Sequence, residues 1–211
     1  MKSGLFISVE GPDGSGKSTQ LGYIKRYLEE RGVSAVFTRE PGGTPISEKI
    51  RSVILDVRNE GMEPMTEALL YAASRAQLVS QVIKPALERG KVVVCDRYVG
   101  SSIAYQGMGR GLGDSVAVMN SFATGGCLPD LTLLLKIDPV KGRARIAGAG
   151  DRIEKEDIEF HRRVYKGYLE LEKHYPERIK GIDADRPAEE VSADIGRCLD
   201  GIFEKKMNDE L

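Results

Sequence analysis

Gly11-Pro12-Asp13-Gly14-Ser15-Gly16-Lys17-Ser18-Thr19 follows the apolar run Leu5-Phe6-Ile7-Ser8-Val9-Glu10 and precedes a stretch of helical character. A glycine-rich turn between a strand and a helix is where a phosphate-binding loop has to sit, because glycines let successive backbone N–H groups close around phosphate oxygens. In such a loop Lys17 places a point charge on the β- and γ-phosphates and Ser18 offers an oxygen to Mg2+. The N-terminus of the helix that follows adds partial positive charge of its own. The whole of Gly11 to Thr19 is thus a candidate nucleotide-binding segment, with a nucleoside triphosphate as the expected ligand.

Outward from this loop, short apolar runs alternate with longer amphipathic stretches: Leu5–Glu10, Ala35–Arg39, Lys91–Asp96, Leu131–Asp138 and Ile179–Asp183. That alternation predicts an α/β fold with a parallel sheet. Helices are expected from Gly16 to Arg31, stopped by Gly32, from Thr44 as cap with Pro45 in the first turn, and from Met65 to Arg89, stopped by Gly90. Lys91–Cys95 and Leu131–Leu135 lack a period of two, which marks central strands covered on both faces. Ligands of such sheets sit beyond the carboxyl ends of the strands, where Glu10–Lys17, Arg39–Thr44 and Asp96–Tyr98 all fall.

The length of 211 residues suits one domain with a full core, and 41% apolar with 30% charged residues is ordinary soluble composition. A net charge of −1 disfavours a nucleic-acid partner and suits a nucleotide-sized anion. The 3 cysteines, Cys95, Cys127 and Cys198, show no metal spacing and read as buried thiols in a reducing compartment. Neither a signal peptide nor an apolar run near the ~18 residues of a membrane span is visible, and the cytosol is the expected location.

Asp96-Arg97-Tyr98 ends the third strand, with an acid where a phosphate-loop enzyme keeps its Mg2+-side carboxylate. Arg39, Arg51, Arg75 and Arg97 lie at strand ends or on helices leaving the cleft, and arginine can hold a phosphate through two parallel hydrogen bonds. A second phosphorylated ligand follows as an expectation.

These residues carry a close resemblance to the bacterial-type thymidylate kinases of the P-loop nucleoside monophosphate kinase superfamily. It rests on Glu10 to Thr19, Thr38-Arg39-Glu40-Pro41-Gly42-Gly43-Thr44, Asp96-Arg97-Tyr98, Ser101-Ser102-Ile103-Ala104-Tyr105-Gln106-Gly107, Pro129-Asp130-Leu131-Thr132 and Asp151-Arg152-Ile153-Glu154, in order across nearly the whole chain. The resemblance implies transfer of the γ-phosphoryl group of ATP, with Mg2+, to dTMP. It also implies a five-stranded parallel sheet of order 2-3-1-4-5 flanked by helices, a mobile lid, and a homodimer.

Carried over by resemblance, Arg75 hydrogen-bonds the thymine carbonyl and Tyr71 stacks on the ring, and their spacing of four puts both on one helix face. Arg39, Arg51 and Arg97 hold the acceptor phosphate, Ser102 and Gln106 address the base edge, and Tyr105 lies against the sugar 2′ carbon. Asp13 binds the sugar 3′-hydroxyl or the region between sugar and magnesium, Glu40 is the acid near phosphate and metal, and Ser18 and Asp96 are the metal-side oxygens. Gly14 stands where the animal type carries a catalytic arginine, so that charge must come from the lid, about 138–154, with Lys141, Arg143, Arg145 and Arg152. Gly142, Gly148 and Gly150 would permit lid motion. If the segment is helical through Ile146, Arg143 and Arg145 lie about 200° apart, and one of them stacks on adenine. Ala147 occupies the place of a third arginine in some bacterial relatives, and the loop at 183–187 lines the adenine. Two rival readings stay open: a kinase for another monophosphate or a deoxynucleoside, and a non-catalytic ATP-binding switch.

Overall fold

Leu5, Ile7 and Val9 alternate with Phe6 and Ser8 along β1 (Leu5–Glu10), and this period of two divides the core of the molecule. The computed structural model describes residues 4–146 and 150–209. β1 is the middle of five parallel strands, in the order β2-β3-β1-β4-β5, with β2 at Ala35–Arg39, β3 at Val92–Asp96, β4 at Leu131–Lys136 and β5 at Ile179–Asp183. On one face, Leu5, Ile7 and Val9 join Val94, Leu133 and Leu135 against Ile24 and Leu28 of α1 (Lys17–Glu30) and Ile195 and Leu199 of α9 (Ala188–Asp209). On the other, Phe6, Val93 and Cys95 pack against Leu78, Val79 and Ile83. β3 and β4 are interior strands, and burial on both faces is why their sequences run apolar without alternation.

α2 (Pro45–Leu55) starts where its cap chemistry requires: Thr44 Oγ1 accepts from the Ser47 amide at 3.1 Å, and Pro45 lies in the first turn. The long helix expected over 65–89 is divided into α3 (Pro64–Leu78), a π-helical segment Val79–Ile83, and α4 (Lys84–Glu88). Leu78, Val79, Ile83 and Lys84 keep right-handed helical dihedrals at both ends of the π segment. A second π segment, Ile103–Gly109, follows the short α5 (Val99–Ser102) and precedes α6 (Ser115–Thr124). Such widened turns occur often at functional sites. β4 ends at Lys136, two residues earlier than expected, because Asp138 turns to cap α7 (Pro139–Ala144), accepting from the Val140 amide at 2.9 Å. α7 closes before Ile146, with Arg145 at its C-terminal cap. α8 (Ile158–His174) begins at the Asp157 cap and packs along the second π segment.

Candidate active site

The carboxyl ends of β1, β2 and β3 open into one cavity of about 670 Å³. The phosphate loop enters from Asp13 to Thr19, Glu40, Pro41 and Arg51 come from the β2–α2 region, and Tyr71 comes from α3. Asp96 and Arg97 end β3, Ser102, Tyr105 and Gln106 come from α5 and its π segment, and Arg145 and Ala184 close the far side. Of the residues expected at the site, Gly11, Pro12, Arg39, Arg75 and Arg143 do not line this cavity.

The loop is shaped from its backbone outward. Gly11 has φ of +142°, and a Cβ there would stand 2.4 Å from the Leu135 carbonyl oxygen of β4, so only glycine lets the loop leave β1 along this path. Lys17 Nζ donates to the carbonyls of Gly11 and Pro12 at 3.1 and 3.0 Å. Its enclosure, and then the neighbouring Arg97, pull the ammonium down from 10.5 to about 8, against Asp13, Asp96 and Glu10.

Arg97 is the centre of the charged network. It is a non-glycine residue at φ +67°, a strained conformation of the kind that gathers at active sites, and its amide donates to the Val9 carbonyl at 2.9 Å. Its guanidinium donates to Asp13, to the Gly11 carbonyl at 3.0 Å and to Tyr168 Oη at 3.2 Å. Tyr105 donates to the other Asp13 oxygen at 2.9 Å. Burial pushes the Asp13 carboxyl up, but Arg97, Lys17 and the Tyr105 hydroxyl outweigh it and hold the group below its ordinary range. Beneath them, buried Glu10 accepts from the amides of Tyr98 and Ser101 at 2.8 and 3.2 Å and from the hydroxyls of Ser101 and Tyr168. Glu10 thereby ties the phosphate loop to the turn that carries Arg97.

On the acceptor side, Arg75 and Arg39 have protein partners of their own. Arg75 is 1% exposed, and its guanidinium is held by Glu40 through Nε at 2.7 Å and Nη2, and by Ser102 at 2.9 Å and Asn120 through Nη1. Glu40 Oε1 has no hydrogen-bond partner among the described residues, and burial pushes this carboxyl up to about 7 although Arg75 opposes it. Tyr71 and Gln106 face the cavity, and Gln106 Nε2 donates to buried Glu67 at 2.9 Å. Glu67 also receives Arg110 and Arg152 at 3.0 and 2.7 Å, which fastens the far root of the lid segment to α3. Arg51 lines the cavity and donates to the Pro41 carbonyl at 2.9 Å. Arg39, on edge strand β2, turns its half-exposed guanidinium to Glu48 at 3.0 Å.

The two lid arginines diverge. Arg143 donates to the Glu156 carbonyl at 2.9 Å, and Arg145 donates to the Ala184 carbonyl at 3.0 Å and to Asp185 at 2.9 Å. Arg145, Ala184, Arg186 and Ala188 line the cavity together. Gly142 is buried inside α7 rather than placed at a hinge, and Ala147 and Gly148 lie outside the described residues. Gly150 has φ of +67°.

Arg152, expected as a charge of the lid, is instead buried on Glu67, and Glu10, Glu67, Asn120 and Tyr168 were not among the site residues expected from sequence. Asn120 had a legible signal, since Val116, Asn120 and Thr124 recur at the buried spacing of α6, and a polar residue on such a face needs a partner. Glu67 shows no comparable mark.

For a metal, the fit is good. Ser18 and Asp96 are both hard oxygen donors on the cavity wall, and Asp96 Oδ1 is buried without a partner among the described residues. No group of three or more His, Cys, Asp or Glu side chains forms an all-protein cage among the described residues, and Mg2+ characteristically shares its shell with phosphates and water.

The thymidylate kinase family model matches residues 9–195. A thymidylate kinase of Symbiobacterium thermophilum is 50% identical over 205 residues, covering 96% of each chain, and one of Deinococcus radiodurans is 50% identical over 198 residues, covering 92% of this chain and 96% of the relative. The crystal structure of thymidylate kinase from Ehrlichia chaffeensis, 32% identical, is similar at a TM-score of 0.78 over 94% of this chain and 99% of that one. With the match running from the end of β1 into α9, and identity at half the aligned positions, the chain belongs to the thymidylate kinase family.

Proposed function

We propose that this chain transfers the γ-phosphoryl group of ATP to the 5′-phosphate of dTMP, giving dTDP and ADP. The observation that carries the reading is the single cavity that has a phosphate loop on one wall and Tyr71, Ser102, Tyr105 and Gln106 on another, with Arg51 and Arg97 between. A pocket of that second kind is what a nucleotide switch does not require and an acceptor nucleotide does.

The acceptor is already a phosphate, ionised near neutral pH, and no strong general base is needed. The chain's own residues then act by alignment and charge neutralisation. Lys17 and the loop amides bind the ATP phosphates, Arg97 and Arg51 face the acceptor phosphate, and Tyr71 stacks on the base. Arg75 reaches the base edge only from within its buried frame of Glu40, Ser102 and Asn120, so its part is to set the polarity of that wall. Arg145 serves the ATP side together with Ala184 and Arg186. Ser18 and Asp96 would hold Mg2+, which would supply charge that neutralises the phosphates.

The chain acts as one unit with a lid at about 138–154, and as a homodimer. Support for the dimer is the exposed apolar face of three adjacent helices: Ile46 and Val53 on α2, Met65 and Leu69 on α3, and Val118 and Phe122 on α6. The cytosol suits its 3 unpaired thiols and its soluble substrates, and no described helix is long and apolar enough to cross a membrane.

An ADP-release assay across a panel of nucleoside monophosphates and nucleosides tests the reading. dTMP should lead the panel in kcat/KM, with dUMP behind it by about 10–200-fold, the range one methyl group supplies. Faster turnover of a nucleoside or of another monophosphate would replace dTMP as the acceptor.

A further inference from the structure

We infer that Gly142 is a positioning residue for phosphoryl transfer, paired with Gly14: the absence of side chains at these two positions seats α7 directly on the phosphate loop, and that seat sets where Arg145 stands. The inference rests on the proposed role of the lid arginines.

A Cβ built at Gly14 would lie 1.9 Å from the Gly142 carbonyl oxygen and 2.5 Å from its carbonyl carbon. A Cβ built at Gly142 would lie 2.5 Å from the Asp13 carbonyl oxygen. Each obstacle is backbone, which cannot swing aside as a side-chain tip can. Gly142 is buried between exposed Lys141 and Arg143, and it is absent from the residues of positive φ. Its lack of a side chain serves close approach rather than conformational freedom.

The contact reaches the catalytic machinery through one atom. The Gly142 carbonyl oxygen that meets Gly14 also accepts the Arg145 amide at 3.0 Å, ending the helix there. From that point Arg145 extends along the cavity wall to the Ala184 carbonyl and Asp185. A methyl group at 142 forces α7 off the loop by the order of an ångström, and a misplacement of ~1 Å at catalytic groups costs about a hundredfold. A side chain at position 14, an arginine included, pushes on the same carbonyl. Glycine in the loop and arginine in the lid are therefore one arrangement: a chain with this seat cannot also carry its catalytic charge at position 14.

The test places Gly142→Ala in the wild type and in an Arg143→Ala/Arg145→Ala background, with melting curves to verify folding. In the wild type, kcat should fall about 10- to 100-fold while the KM for dTMP stays within about twofold. In the arginine-less background the further loss should be under about threefold, because the seat acts through what has been removed. Equal fold losses in the two backgrounds, or an unchanged kcat in the first, would overturn the inference. Wild-type turnover in the double-arginine variant alone would instead defeat the proposed lid role, a failure seen without Gly142→Ala. Should Gly142→Ala not fold, Gly14→Ala meets the contact from the other side, and because Gly14 has φ of +75° it adds a backbone strain common to both backgrounds, which the same comparison cancels.

Discussion

The ammonium of Lys17 is half-enclosed beside a guanidinium, a place that disfavours its charge and yet requires it. Lys17→Ala should lower kcat by on the order of a hundredfold or more, about 3 kcal/mol, with the fold intact, since its Nζ bonds only two loop carbonyls. Near-normal turnover would remove Lys17 from the mechanism. With its ammonium held down at about 8, kcat/KM for ATP should decline on an alkaline limb near that pH, whereas kcat, read with phosphates bound, should persist to higher pH. The stability effect has the opposite sense. The folded state binds the Lys17 proton less tightly than the unfolded chain, so between about pH 8 and 10.5 this group adds stability as pH rises. Lys17→Met should accordingly be at least as stable as wild type at pH 7, an advantage that fades towards pH 10 in urea titrations. Arg75 behaves otherwise, being a member of a buried pair. Arg75→Ala should weaken dTMP binding and also destabilise the fold by about 3–5 kcal/mol, because Glu40 is left buried without its cation. Arg75→Met with Glu40→Gln should recover part of that loss. Strictly additive urea denaturation energies in this cycle would show that the pair is not coupled.

Among the elements, α2 and α7 carry site residues on helices whose starts are set by caps. Thr44→Ala removes the acceptor for the Ser47 amide and should cost about 1 kcal/mol in urea denaturation. Because α2 also presents Arg51 to the cavity, the same variant should raise the KM for dTMP while leaving the KM for ATP nearly unchanged. If both constants stay at wild-type values, the start of α2 does not govern the position of Arg51. On α7 the two arginines point to different partners, and separate effects follow. Arg145→Ala should raise the KM for ATP and slow single-turnover transfer, since it lines the cavity beside Ala184. Arg143 donates to the Glu156 carbonyl just beyond the lid segment, and Arg143→Ala should slow transfer with little change in ATP affinity. Identical profiles for the two variants would contradict the divergence of their side chains.

At the scale of the whole molecule, the apolar face of α2, α3 and α6 stands directly behind the acceptor wall. Leu69 is 51% exposed and Phe122 is 82% exposed, on helices that also carry Tyr71 and Asn120. Burying such side chains between two copies is worth roughly 1.5–3 kcal/mol each. Leu69→Asp with Phe122→Asp should therefore shift sedimentation velocity from dimer to monomer at micromolar concentration. A wild-type chain that sediments as a monomer would dispose of the dimer.

Chemistry confined to a few consecutive residues was readable from the sequence: the phosphate loop after β1, the Thr44 cap with Pro45, the glycine stops, and the unalternating interior strands. Each depends on backbone dihedrals or on a period set within one element, and needs no knowledge of what lies across the fold. Spacing also placed Asp96, Arg97 and the loop at one end of the sheet, because parallel strands all deliver their carboxyl ends to the same side. Only tertiary structure separated Arg51, which reaches the cavity, from Arg39, which turns to Glu48, since the two differ in which neighbour competes for the guanidinium. The frame around Arg75, the meeting of Gln106, Arg110 and Arg152 on Glu67, and the seat of Gly142 on the loop join residues far apart in the chain. Such contacts have no local period, because they depend on the distances at which separate elements come to rest.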